Sequence, residues 1–198
     1  MRPFKYVLSA ALFCAALFPT RAAAYEGDGC NHLRWDVKTL TDAAAAHLST
    51  QPHDTTVAAI VARNPPDDID LLTRRIGSYE YTLWRVRVLV RGYRLENDGD
   101  IHVLMEDPTT HDTMIGEIPN PNSACAVSAY AAAFARARAT LAQKGGGSYG
   151  RFVWLDNHYR STPPMAQIEG YGLWDPPHAR DAAANGAELH PITSLQWL

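Results

Sequence analysis

From Tyr79 to Leu95 apolar and basic side chains alternate, and this stretch limits the fold more than any other part of the chain. Trp84, Val86, Val88 and Val90 share one parity, and Arg85, Arg87 and Arg91 take the other. A period of two places one set against a core and the other toward water, which predicts a long, half-buried β-strand. Asn97-Asp98-Gly99 follows as a turn, and Ile101, Val103 and Met105 form the apolar face of the answering strand. A loop with Pro108, Thr109 and Thr110 leads to a third strand, Thr113 to Ile118, stopped by Pro119-Asn120-Pro121-Asn122. Three strands in succession predict a meander.

Ser123 then caps a helix in which Val127, Tyr130, Phe134 and Leu141 recur at helical spacing, and Gly145-Gly146-Gly147 ends it. A short strand at Phe152 to Leu155, an alternating stretch from Met165 to Leu173, and a last strand from Glu188 to Trp197 complete the order. Meander, helix and two further strands is the order of the OB-fold, a small five-stranded Greek-key barrel. Gly92 and Gly170 fall where the strands of such a barrel must bend. An open antiparallel sheet carrying one helix satisfies the same pattern. The expected fold is therefore mainly β with one helix, an OB-fold-like β-barrel over residues 79–198. Its predicted core is Val86, Val88, Val90, Ile101, Val103, Met105, Ile168 and Leu189, with Phe134 of the helix packed on it.

Residues 25–78 read as a mixed N-terminal extension: an Ala-rich stretch from Ala43 to His47, a β-like run from Thr55 to Val61, and the loop signal Asn64-Pro65-Pro66-Asp67-Asp68. Ahead of it, Arg2 and Lys5 precede an apolar run from Tyr6 to Phe18, and Ala22-Ala23-Ala24 supplies a small-x-small cleavage pattern. This predicts a signal peptide over residues 1–24, a mature chain beginning at Tyr25, and a secreted or periplasmic location. The apolar run falls short of the roughly 20 residues that span a bilayer, and no later stretch approaches that length, so no membrane span is expected. Lipid attachment at Cys14 would need a cleavage site there, which Phe13 and the apolar residues after Cys14 do not make. Processing takes Arg2, Lys5 and Arg21 from 18 basic residues and none from 21 acidic ones, leaving a net charge of about −6. Such a surface disfavours nucleic acid as a partner.

Processing also removes Cys14, leaving Cys30 and Cys125 in an oxidising compartment, where a disulfide between them is the simpler expectation. Closing a loop of 95 residues would stabilise the fold by about 4–5 kcal/mol in the chain-entropy model. The alternative makes Cys125 a reactive thiol in the first turn of the helix.

Polar residues able to carry chemistry gather at three places: Asp98, Asp100 and His102 around the first hairpin, Glu117 late in the third strand, and Asn185, Glu188 and His190 around the start of the last. Side chains two apart on a strand share a face, so Asp100 joins His102 and Glu188 joins His190. If both faces converge on Glu117, then Asp100, His102, Glu117, Glu188 and His190 form a candidate catalytic cluster, with His102, Glu117, Glu188 and His190 as candidate metal ligands. The same residues also suit structural work. Asn97 to Asp100 is favourable turn chemistry that lacks the closing acid of an EF-hand, and Glu117 paired with a histidine would be a satisfied buried acid. No Gly-x-Ser-x-Gly, P-loop or His-Glu-x-x-His occurs, so no organic cofactor is predicted and a divalent metal is the one the cluster admits. Trp154, Tyr159, Tyr171 and Trp174 are aromatic enough to stack on sugars or bases, or to serve as core and rim.

The stretches RWDVKTLTD (34–42), DGDIHVLMED (98–107), TMIGEIPNPNSAC (113–125) and NGAELHPI (185–192) together resemble a family of uncharacterised exported bacterial proteins. Its members share an Asp-x-Asp-x-His strand, a Met-Ile-x-Glu-Ile-Pro strand followed by Cys, and a closing Asn-Gly-x-Glu-Leu-His-Pro. The resemblance covers nearly all of the mature chain and singles out Cys30, Asp100, His102, Glu117, Cys125, Glu188 and His190. It departs at GLWDPPHARDAAANG, which keeps Asp175 and His178 but lacks the family's His-Gly-Gln loop. The strand order is also similar to staphylococcal nuclease, by analogy of fold alone. Such a nuclease needs arginines beside its acids, and segments 97–107 and 113–125 contain none, although Arg85, Arg87, Arg91 or Arg94 could reach in. The expectation is a non-catalytic exported module binding an extracellular ligand, whether glycan, peptide or protein. The alternative is a metal-assisted hydrolase, nuclease-like in form, using the Glu/His/Asp cluster.

Overall fold

The computed structural model describes residues 33–69, 73–123, 127–147, 152–177 and 182–198. The signal peptide, Cys30, Cys125 and His178 lie outside the described residues, so their expected roles stay expectations. Among the described residues no helix is long and apolar enough to cross a membrane.

Five strands close a barrel: β2 (Leu83–Leu95), β3 (Ile101–Glu106), β4 (Thr113–Ile118), β6 (Met165–Trp174) and β7 (Ala187–Trp197). They run β2-β3-β4-β7-β6, and β6 pairs back onto β2 to complete the ring. Every contact in the ring is antiparallel except β4 with β7, which meet in parallel at Gly116 and Leu189. This is the OB-fold order expected from the sequence, and the open sheet is ruled out by closure. Two further strands add to β2: β1 (His53–Thr55), parallel to it, and β5 (Val153–Trp154), shorter than the expected Phe152 to Leu155.

The bends fall near the expected glycines. The β2–β3 register slips between Val90 and Gly92, and the β6–β7 register slips on either side of Gly170. A Cβ at Gly92 would sit 2.4 Å from the Phe152 ring and 2.5 Å from the Val153 carbonyl, and one at Gly170 2.8 Å from the Pro191 carbonyl. Neither position has room for a side chain.

Val86, Val88, Val90, Ile101, Val103, Met105, Phe134, Ile168 and Leu189 are all buried in one core, as the alternation predicts. Leu40, Leu48, Val57 and Ile60, from before the barrel, belong to that same core. The helix departs from expectation. It spans Ala131–Gly145 (α3), and Val127, expected on its apolar stripe, is 93% exposed. Ser123 does not cap it. Instead Ser128 Oγ accepts the Tyr130 amide at 3.0 Å just ahead of the first turn, and Phe134, Ala137 and Leu141 form the buried stripe.

Two other boundaries move. The run from Thr55 to Val61 divides into β1 and a helical turn, α2 (Val57–Val61), because Thr56 Oγ1 accepts the Ala59 amide at 3.0 Å and caps that turn. The long strand starts at Leu83 rather than Tyr79. Residues 78–81 form a 3-10 turn around Glu80, whose buried carboxylate accepts the Ile76 and Trp174 amides, both at 2.8 Å, and an Arg34 guanidinium N–H at 2.5 Å. A short helix, α1 (Trp35–Lys38), follows Arg34.

Candidate functional site

Alternation along β3 points Ile101, Val103 and Met105 into the barrel and turns His102 onto the outer wall. Glu117 takes the outer parity of β4, directly across from His102, because Gly116 and Ile118 point inward. On β7, Leu189 points into the core and leaves Glu188 and His190 outside. The parallel contact of Gly116 with Leu189 then sets Glu117 beside that pair. The five residues chosen from the sequence therefore converge on one patch of the outer wall. All five are buried, Asp100, Glu117, Glu188 and His190 to within 1% of complete burial and His102 at 7% exposure.

Carboxylates and imidazoles alternate across this patch. Glu96 Oε1 lies 3.2 Å from His102 Nδ1, and His102 Nε2 lies 2.7 Å from Glu117 Oε1. The other Glu117 oxygen is 3.3 Å from His190 Nδ1, and His190 Nε2 is 3.2 Å from Asp100 Oδ2. Asp100 Oδ1 accepts the Asn120 amide at 3.0 Å, which ties the connection after β4 to the first hairpin. That hairpin turns as expected, with Gly99 at φ 90° and its amide donating to the Glu96 carbonyl at 3.1 Å.

The charge states differ among the three acids. Burial opposes the Glu117 carboxylate, but His190, His102 and Lys38 outweigh it and hold its pKa well below the usual carboxylate range. Burial pushes Glu188 well above that range, and the neighbouring Glu117 and Asp175 push it further. The Glu188 anion is thus disfavoured beside the charged Glu117, the direction expected when two adjacent acids compete for one charge. Burial also raises Asp100, against the pull of His190. For His102, burial is more than offset by Glu117 and Glu96, and its pKa rises.

The patch reaches solvent through a cleft of about 310 Å3 lined by Lys38, Glu96, Asn97, Asp98, His102, Glu117 and Asp175. Of the five predicted residues only His102 and Glu117 reach it, and Asp100, Glu188 and His190 lie behind them. Lys38 and Asp175 pair across the cleft at 3.1 Å, and Glu117, Asp175 and Glu188 outweigh burial to raise the lysine. Asp100, Glu117 and His190 each offer one ligand atom within 4.8 Å of the others, so this buried trio could hold a metal. It takes in Asp100 and leaves out His102 and Glu188, both named as ligands from the sequence. A larger hollow of about 460 Å3 lies between residues 54–56, 85–87 and 107–109. It contains none of the candidate residues, and its Arg85 is tied to Glu169 at 2.8 Å.

Sequence reasoning missed Lys38 and Glu96 as site residues. Glu96 had one available signal, its place at the start of the turn that carries Asp98 and Asp100. Lys38 had none, because it sits on a four-residue helix whose partners come from β4 and from the connection after β6. Comparison of the chain with protein-family models, with curated proteins and with solved structures finds no match. Function has to be read from the site itself.

Proposed function

We propose that the chain is a non-catalytic, exported binding module that takes an extracellular ligand, a glycan, peptide or protein, in the cleft beside His102 and Glu117. One observation carries this. In OB-folds the outer face of the second and third barrel strands, with the loops after the first and fourth, is where oligosaccharides and oligonucleotides bind. Here those strands supply His102 and Glu117, the loop after the first supplies Glu96, Asn97 and Asp98, and the loop after the fourth supplies Asp175. The lining offers acceptors in its carboxylates and donors in Lys38 and His102, which suits a polar ligand. The acidic balance favours neutral or cationic ligands over nucleic acid.

The alternative is a metal-assisted hydrolase, favoured by the trio Asp100, Glu117 and His190. A catalytic ion needs a coordination position open to substrate, and two of these three residues are 0% exposed. His190 faces Asp100 and Glu117 with opposite ring nitrogens at 3.2 and 3.3 Å, but without hydrogen-bond geometry to either, which leaves these buried atoms to the metal reading. Of the arginines that could reach in, Arg94 alone bonds an acid of the cleft, Glu96, while Arg85 pairs with Glu169 and Arg91 with Glu106.

Thermal melting with zinc, manganese or calcium tests the choice. The melting temperature should stay unchanged, whereas an ion at 100 times its dissociation constant would add about 2.7 kcal/mol. A metal-dependent rise that Glu117→Gln abolishes would make the hydrolase the better reading. On immobilised glycans and peptides, retention by the wild type that survives Glu96→Gln and Asp175→Asn unchanged would move the ligand away from this cleft.

A further inference from the structure

Of the four aromatic residues singled out in the sequence, two are accounted for by the core: Tyr171 and Trp174 are 2% and 5% exposed. The other two stand together on the surface. The Trp154 ring centre lies 5.2 Å from Tyr159, 5.1 Å from His158 and 4.5 Å from Phe152. Tyr159 is 61% exposed, His158 is exposed, and Trp154 is half-buried. We propose that Trp154, His158 and Tyr159 form a carbohydrate-binding platform, separate from the cleft, in which the apolar face of a pyranose ring stacks on exposed Tyr159 and meets Trp154, inclined 55° to it, at its side.

The platform is fixed in place rather than left to the mobility of a loop. Asp156 is fully buried beneath it, and its carbonyl accepts the Arg160 and Ser161 amides, both at 3.0 Å. Its carboxylate accepts Arg91 Nη1 at 3.0 Å, and the same guanidinium grips Glu106 at 2.5 and 2.8 Å. Arg91 then lies 5.0 Å from the centre of the Tyr159 ring, a cation–π contact that sets the ring's position. Rings held in place before a ligand arrives lose little freedom on binding, which is where preorganised sites gain affinity.

The backbone departs from ordinary turn conformation to hold the rings outward. Asn157, His158 and Tyr159 have φ of 50°, 58° and 65°. Asn and His tolerate the left-handed region, but tyrosine adopts it only against a steric cost.

Two ligand classes stack on exposed rings, sugars and nucleobases. Exposed Arg160 adjoins the rings and could meet a phosphate, but the acidic balance of the chain opposes a polyanion, and the Arg91 charge is already taken by Glu106 and Asp156. Sugar hydroxyls need uncharged donors and acceptors around the rings, and exposed Asn157 and His158 supply them.

Titration calorimetry of the purified protein with cellohexaose and with chitotetraose tests the platform, read alongside the Trp154 indole resonance by NMR. At least one oligosaccharide should bind saturably, shift that resonance, and hold its affinity as salt rises. Trp154→Ala and Tyr159→Ala should each weaken binding by about tenfold or more, equivalent to about 1.4 kcal/mol. Tyr159→Ala, at a largely exposed position, should keep the wild-type melting temperature and so decides the matter even if Trp154→Ala does not fold. The proposal fails if neither sugar moves the Trp154 resonance, or if Tyr159→Ala binds as tightly as wild type. It also fails if an oligothymidylate binds there instead with steep salt dependence. Because Glu96→Gln and Asp175→Asn leave the platform intact, sugar binding that survives them counts for the platform and against the cleft.

Discussion

The inner face of the barrel wall and the patch around Glu117 on its outer face are both buried, but by different means. Inside, Val86, Val88, Val90, Ile101, Val103 and Met105 need only exclude water, and any apolar neighbour of suitable size serves. Outside, His102, Glu117 and His190 are also buried, and each faces particular partners at particular atoms. A wall with an apolar inner face and an ionised, buried outer face tolerates different errors on its two sides. Volume matters within, and charge count matters without.

The largest effect separates the faces outright. Val88→Asp should abolish folding, since a charge buried with no partner costs several kcal/mol against the 5–15 kcal/mol that holds an ordinary domain. Circular dichroism decides it, and a soluble variant with an unchanged melting temperature would mean that the inner and outer faces are exchanged. On the outer face, Glu117→Gln removes the anion that serves His102, His190 and Lys38 together. It should cost about 3–5 kcal/mol in urea unfolding, as breaking a buried ion pair does. A loss below about 1 kcal/mol would show that the outer face is packed rather than paired.

The expected Cys30–Cys125 bond would join the segment just before α1, which brings Lys38 over the outer face, to the segment just after β4, which carries Glu117. Reduction should cost at most the roughly 4–5 kcal/mol of the chain-entropy model, native-state strain lowering the measured value. Intact mass of the unreduced mature protein should show no uptake of alkylating reagent. Two added groups would remove the bond.

The smallest effect is the sharpest test of charge count. Burial and the Glu117 charge favour the neutral form of Glu188, and glutamine has nearly the same shape, so Glu188→Gln should change stability by less than about 1 kcal/mol at pH 4. Its folded pKa is raised, so the stability it contributes is fully present below the unfolded value near 4.3 and is lost as pH rises toward the folded value. His102, also raised, loses its contribution in the same direction, starting from about pH 6.5. Melting temperatures from pH 4 to 9 should show the Glu188→Gln variant gaining steadily on wild type. Parallel curves would mean that Glu188 is ionised in the fold.

How far these faces could be read from the sequence follows from their physics. A period of two is enough to separate inside from outside, and it brought out the eight strand residues of the predicted core and the shared faces of Asp100 with His102 and of Glu188 with His190, while Phe134 came from helical spacing. Convergence on Glu117 needed a barrel order, which the arrangement of strands, helix and turns supplied. Helix boundaries were less legible: Val127 fits a helical stripe by spacing alone, yet the chain turns only at Ser128, where a side-chain hydrogen bond fixes the entry. Lys38 was illegible for a different reason. Its partner Asp175 stands 137 positions away, and no local pattern reports a contact of that range.

Strand β7 supplies Leu189, Ile192 and Leu195 to the inner face and Glu188 and His190 to the outer one. It also makes the parallel contact with β4 that closes the ring. Until it docks, β4 has an open edge and Glu117 lacks one of its histidines, so closing the barrel and assembling the site are a single event. Contacts between elements so distant in the chain form late and slowly, because the loop entropy is lost before they return any energy. During that interval the exposed edge of β4 is a template for another chain. Whatever speeds the docking of β7 in the cell therefore governs both the yield of folded protein and the yield of sites.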